Sequence, residues 1–144
     1  MPAARFIDQL NAQIGNELAA HNQYLACAIS YDALTMPQMA AFFYAQAGEE
    51  REHALMMVQY LLDTDSPVQI PAVGAPVSTF ADVVAPVTLA LAQEKTVTEQ
   101  INALLRIARE ESDFASEQFM QWFVKEQVEE VATMSDLLTV AERN

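Results

Sequence analysis

Four glutamates stand where helical periodicity calls for apolar side chains. Read at steps of three and four residues, the chain offers four stripes. The first runs Phe6, Leu10, Ile14, Glu17, His21, Tyr24, Ala28, Tyr31. The second runs Phe43, Ala47, Glu50, Ala54, Met57, Leu61, with His53 beside it. The third runs Val87, Leu91, Glu94, Thr98, Ile101, Leu105, and the fourth Met120, Phe123, Gln127, Glu130, Met134, Leu137. Each carries a carboxylate in the middle of a buried face. Carboxylates that converge in a core repel one another and are driven to bind protons. A divalent or trivalent cation removes that conflict. Glu50 and His53 form Glu-x-x-His, a spacing that projects both side chains from one helical face. Carboxylate oxygens with an imidazole suit iron in particular, and manganese and zinc also accept them. One such Glu, or one Glu-x-x-His, recurs by chance in helical chains. The weight lies in four stripes that share the feature.

These residues need long helices to hold them. Four stretches rich in Ala, Leu, Gln, Glu and Met read as helix. They span about Ala3 to Tyr31, Pro37 to about Asp63, a start between Asp82 and Pro86 to about Arg109, and about Asp113 to Glu142. Residues 32–36 and about 110–112 are short enough to make antiparallel hairpins. Residues 64–80 hold Pro67, Pro71, Gly74 and Pro76 and cannot be helical. A helix of about 28 residues is about 42 Å long, and fifteen extended residues reach about 50 Å. The loop therefore crosses the whole bundle and leaves the second and third helices parallel. The expected fold is all-α: one four-helix bundle domain over residues 1–144, two antiparallel hairpins joined by one long crossover.

Within each hairpin the carboxylates are level. Glu17 precedes the first turn, near Leu34, by 17 residues and Glu50 follows it by 16. Glu94 precedes the second turn, near Ser112, by 18 and Glu130 follows it by 18. The register of one hairpin on the other is left open.

Composition narrows the function classes. Hydrophobic residues make up 52%, enough for a sizeable core, and the formal net charge of −13 opposes nucleic acid while favouring metal cations. The single cysteine, Cys27, forms no internal disulfide. No run of about 18 uncharged apolar residues exists to span a membrane, and Met1 to Asn11 does not read as a signal peptide. The cytoplasm is the expected address.

At these residues the chain resembles the bacterial non-haem ferritins over almost its whole length. The matching pieces are Glu17 with Tyr24 seven residues on, Glu-Glu-Arg-Glu-His at 49–53, Gln-Glu at 93–94, Glu-Gln-Val-Glu-Glu at 126–130, and the run from Glu117 to Phe123. The resemblance implies a ferroxidase centre. One iron would be held by Glu17, Glu50 and His53. The other would be held by Glu94 with Glu50 as a bridge, and Gln127 and Glu130 nearby. A third, weaker iron would use Glu49, Glu126, Glu129 and Glu130. Tyr24 would stand beside the pair as a hydrogen-bond or electron donor. Ferrous iron would be oxidised by O2 or H2O2 and stored as ferric oxide in a homo-oligomeric cage, with no haem. Glu49, Glu126 and Glu129 also lie just off the core stripes, where a looser metal position or a solvated acidic face would be. His21 reads as structural or interfacial, and Trp122 and Met120 as packing.

Related groups fit less well. Bacterioferritins would carry a second Glu-x-x-His on the fourth helix, where this chain reads Gln127-Val-Glu-Glu130, and a haem-binding Met where Arg51 stands. The small DNA-protecting cages would leave Glu94 and Glu130 without a role. The resemblance also implies a short fifth helix lining the four-fold axis of a 24-subunit shell; this sequence reaches Asn144 just after the fourth helix. Two other readings remain: a di-iron oxidase or peroxide scavenger without storage, and a non-enzymatic helical module, against which the stripes count.

Overall fold

A computed structural model describes residues 1–143 as four α-helices: α1 (Ala4–Ala33), α2 (Pro37–Asp63), α3 (Ala85–Glu110) and α4 (Phe114–Arg143). There is no strand among the described residues. The first helix runs two residues past the expected end at Tyr31, and the irregular segment between α2 and α3 extends to residue 84. None of the described helices is long and apolar enough to cross a membrane.

Local chemistry sets these boundaries. Pro37 opens α2, where a missing N–H costs nothing. The Asp82 carboxylate accepts bonds from the Val84 and Ala85 amides at the start of α3. Asp113 caps α4 through the Ser116 amide, and its other oxygen accepts a bond from the Ala3 amide at 3.0 Å. One side chain thus ties the start of α1 to the second hairpin. The first three helices end on a left-handed residue that is not glycine: Thr35, Asp65 and Ser112 have φ of 58°, 55° and 52°. In each case the next amide reaches back to a carbonyl of the last turn, Met36 to Tyr31, Ser66 to Leu61 and Asp113 to Ala108. These bonds satisfy carbonyls that a helix end leaves bare.

The crossover is fastened along α1. Asn11 bonds the Pro67 carbonyl and the Gln69 amide, Gln23 bonds both backbone groups of Val77, and the Tyr31 hydroxyl donates to the Val83 carbonyl at 2.6 Å. Partners advance together along both segments, so the crossover runs in the direction of α1. It delivers α3 at the far end, antiparallel to α1 and parallel to α2. At Gly15 the two segments pack tightly: a Cβ there would lie 2.9 Å from Pro71 Cγ.

The apolar interior falls into two clusters. Phe6, Leu10, Ile14, Met57, Leu61, Ile101, Leu104 and Phe123 pack at one end, and Tyr24, Tyr31, Phe43, Val87 and Met134 at the other. Glu17, Glu50, Glu94 and Glu130 lie in the layer between, on all four helices at once.

Gly15 and Gly48 separate packing from propensity. A Cβ at Gly48 would meet nothing within 4 Å, so Gly48→Ala is expected to stabilise by about 0.5–1 kcal/mol. Gly15→Ala is expected to yield no gain, because its methyl must displace the crossover. Thermal melts of both variants check this; equal stabilisation would mean that Gly15 is not held against Pro71.

Candidate metal centre

The four stripe carboxylates converge. Glu17, Glu50 and Glu94 are fully buried and Glu130 is 5% exposed. Two groups of three residues offer ligand atoms within 4.8 Å of one another: Glu17, Glu50 and His53, and Glu50, Glu94 and Glu130. Glu50 belongs to both. This is the geometry of two adjacent cation positions with one shared carboxylate. It answers the question of register: each hairpin contributes two carboxylates at the same height.

The surroundings supply almost no compensation. Both oxygens of Glu17, Glu50 and Glu94, one oxygen of Glu130, His53 Nδ1 and the Tyr24 hydroxyl are buried without a hydrogen-bond partner. Among the described residues no Arg or Lys forms an ion pair with the four carboxylates. His53 Nδ1 lies 3.4 Å from a Glu50 oxygen. Burial, and then the neighbouring carboxylates, hold the proton on these groups. Glu50 and Glu94 are pushed up to about 7 and Glu130 to about 9. Glu17 lies well above the usual carboxylate range, through burial and the facing Glu50. The Tyr24 phenol is pushed well above its ordinary value by burial and by Glu94 and Glu50. Orphaned acceptors on every side of a small volume fit a hard or borderline cation with oxygen and nitrogen ligands.

Several positioning contacts were not foreseen from periodicity. Trp122, expected to be packing alone, stands 44% exposed with its ring edge-on to the His53 imidazole at 5.5 Å, and Phe123 does the same at 5.9 Å. These aromatics fix the plane of the imidazole. His21 Nδ1 lies 2.6 Å from the Ala47 carbonyl. A carbonyl only accepts, so that nitrogen carries the proton, and the bond pins α1 to α2 one turn before Glu50. Gln127 is buried, but its Nε2 donates to the Thr98 hydroxyl at 3.1 Å and the Glu94 carbonyl at 3.3 Å. Its amide nitrogen is therefore engaged with the turn of α3 that carries Glu94, and only its Oε1 remains to face a cation.

Glu49, Glu126 and Glu129 belong to neither group of three. Glu49 stands beside Glu130, and Glu126 is near enough for its charge to bear on Glu50. Glu129 is exposed. With Glu52, His53 and Trp122, Glu49 and Glu126 line an open groove of about 590 Å³ between α2 and α4.

The raised carboxylates fix the sign of a pH effect. A group that holds its proton more tightly when folded contributes stability that is fully present below its unfolded value and is lost as pH rises through the folded one. The metal-free protein is therefore expected to lose stability from about pH 5 to pH 9, and Glu94→Gln to raise its melting temperature at about pH 8 while flattening the profile. Thermal melts of the metal-free proteins check this; identical profiles for wild type and variant would contradict it.

Comparison with known proteins agrees with the geometry. The model of the ferritin-like domain matches residues 7–144. The chain is 50% identical to ferritin BfrB of Mycolicibacterium smegmatis over 139 residues, covering 96% of this chain and 77% of that one. It is 35% identical to a bacterial non-heme ferritin of Staphylococcus aureus over 132 residues, covering 92% and 80%. Among solved structures, Chlorobium tepidum ferritin superposes with a TM-score of 0.95 at 32% identity, covering 99% and 87%, and the open-pore ferritin of Archaeoglobus fulgidus with 0.94 at 30%, covering 96% and 86%. Fold, buried acidic layer and sequence match converge on one conclusion: the chain belongs to the ferritin family.

Proposed function

We propose that this chain is the subunit of an iron-storage ferritin that oxidises ferrous ions at the buried carboxylate layer. The observation that carries the reading is the pair of three-residue groups sharing Glu50, with buried oxygens that have no other partner. Glu17, Glu50 and His53 hold one ferrous ion, and Glu50, Glu94 and Glu130 the other, with Gln127 Oε1 at its edge. Each ion gives one electron to the oxidant. With O2, the two electrons and two protons leave as H2O2. With H2O2, the same two electrons and two protons from solvent break the O–O bond and two water molecules form. Ferrous loading displaces the protons held by Glu50, Glu94 and Glu130, so binding releases acid and strengthens as pH rises. Tyr24, beside Glu94, is placed to donate a hydrogen bond to a ligand of the iron pair.

Glu49, Glu126 and Glu129, with Glu130, form a looser third iron position at the acidic groove. It receives ions leaving the pair on their way to mineral. Storage as ferric oxide requires a closed homo-oligomer, a 24-subunit cage in this reading. The relatives named ferritin support that assignment. The cytoplasm, where ferrous iron is available, is the proposed location, and no haem is required.

Two measurements test this. Stopped-flow oxidation of anaerobically loaded protein is expected to slow on the order of a hundredfold in Glu50→Ala, which loses the shared ligand. Glu129→Ala is expected to keep the first turnover and alter later ones. Unchanged rates in Glu50→Ala would refute the centre. Size-exclusion chromatography with iron analysis after repeated loading separates storage from oxidation alone: iron far beyond the three positions should elute with a cage-sized particle, and two or three irons on a small oligomer would refute storage.

A further inference from the structure

On the edge of the bundle opposite the acidic groove, α1 and α3 enclose a second groove of about 360 Å³. Its walls include Asn16, Ala19, Ala92, Gln93, Thr96 and Gln100, and none of its lining residues is charged. Two of its amides lead to the carboxylate layer. Gln93 stands close enough to the Tyr24 hydroxyl to interact with it, and its buried Nε2 completes no hydrogen bond of good geometry. Gln100 accepts a 3.2 Å bond from Gln13, which is itself fully buried, is held by Asn16 at 3.0 Å, and lies against Glu17. The deepest lining residues, Ala20 and Val97, each sit three positions from a carboxylate of the centre. Amide and aliphatic groups therefore line this groove on the helix turns that carry Glu17 and Glu94.

The two mouths differ in what they attract. Glu49, Glu52 and Glu126 in the α2–α4 groove concentrate cations. A neutral molecule gains nothing from that field. The α1–α3 groove gives a cation no such gain, but its side-chain dipoles and small aliphatic walls accept a small uncharged molecule. A buried donor such as Gln93 Nε2 that completes no well-formed bond has room for a further partner, and an oxygen atom arriving along the groove supplies one.

We propose that the α1–α3 groove admits the neutral oxidant, O2 or H2O2, with Gln93 receiving it beside Tyr24, while the acidic α2–α4 groove serves iron. Separate routes let iron crowd one mouth without obstructing the other. This inference rests on the oxidation proposed above.

Ala92→Trp plugs the neutral groove from an exposed position on its wall, and Thr96→Phe does so from a second. Ala45→Trp, also exposed, narrows the acidic groove instead. Initial rates of ferrous oxidation at saturating iron are measured against O2 and, separately, H2O2, with anaerobic ferrous stoichiometry determined in parallel. A several-fold rise in the half-saturating oxidant concentration for whichever neutral-groove variant folds as wild type, with ferrous stoichiometry unchanged and no such rise in Ala45→Trp, is the expected result. Normal oxidant dependence in a folded neutral-groove variant would overturn the inference and leave the oxidation reading intact. Failure of the wild type to oxidise ferrous ion would overturn both.

Discussion

The constraint on which this structure depends is the burial of four carboxylates in one layer of an apolar bundle. Moving a single ion from water into a protein interior costs several kcal/mol even after relaxation, and a domain's whole net stability is about 5–15 kcal/mol. Four ionised glutamates without counter-charge would exceed that margin. Glu17, Glu50, Glu94 and Glu130 must therefore hold protons or a cation: among the described residues no Arg or Lys pairs with any of the four, which leaves the choice between those two. Protonation lets the layer stay buried without a cation, and the proposed iron pair would satisfy the same oxygens. On the proposed function, the carboxylates that weaken the core are the ones that bind.

Everything around the layer serves to hold it in place. Apolar clusters above and below close it off from water. The His21 bond to Ala47 and the Gln127 bonds to Thr98 and Glu94 fix the helix turns that bear Glu50 and Glu94. The crossover determines which way α3 runs, and hence whether its carboxylate reaches the level of the first hairpin. Asp113, bonded to the Ala3 amide, sets the second hairpin's turn against the start of α1. The binding geometry is a property of the whole bundle rather than of a loop.

Much of this was legible in the amino acids. Helical periodicity is strict enough that a Glu on the Phe43–Leu61 or Met120–Leu137 stripe is visibly misplaced, and counting from the turns put each hairpin's pair at one height. Hairpin-on-hairpin register was not legible, because it is set by contacts remote in sequence: Asn11 with Pro67 and Gln69, Gly15 with Pro71, Gln23 with Val77. The helix ends at Thr35, Asp65 and Ser112 carried no glycine to announce a left-handed residue. Trp122 gave no sign that it would face an imidazole, since its partner lies on another helix. Gln13 and Gln100 lie 87 positions apart in the chain, and only packing brings their amides together beside the α1–α3 groove.

The most direct test of the account is crystallography of the protein soaked anaerobically with ferrous ion, with anomalous scattering used to locate the metal. Two peaks per chain are expected inside the bundle, one among Glu17, Glu50 and His53, the other among Glu50, Glu94 and Glu130, with the Glu50 carboxylate between them. Metal found only at exposed acidic side chains, with the buried layer empty at saturating iron, would contradict it.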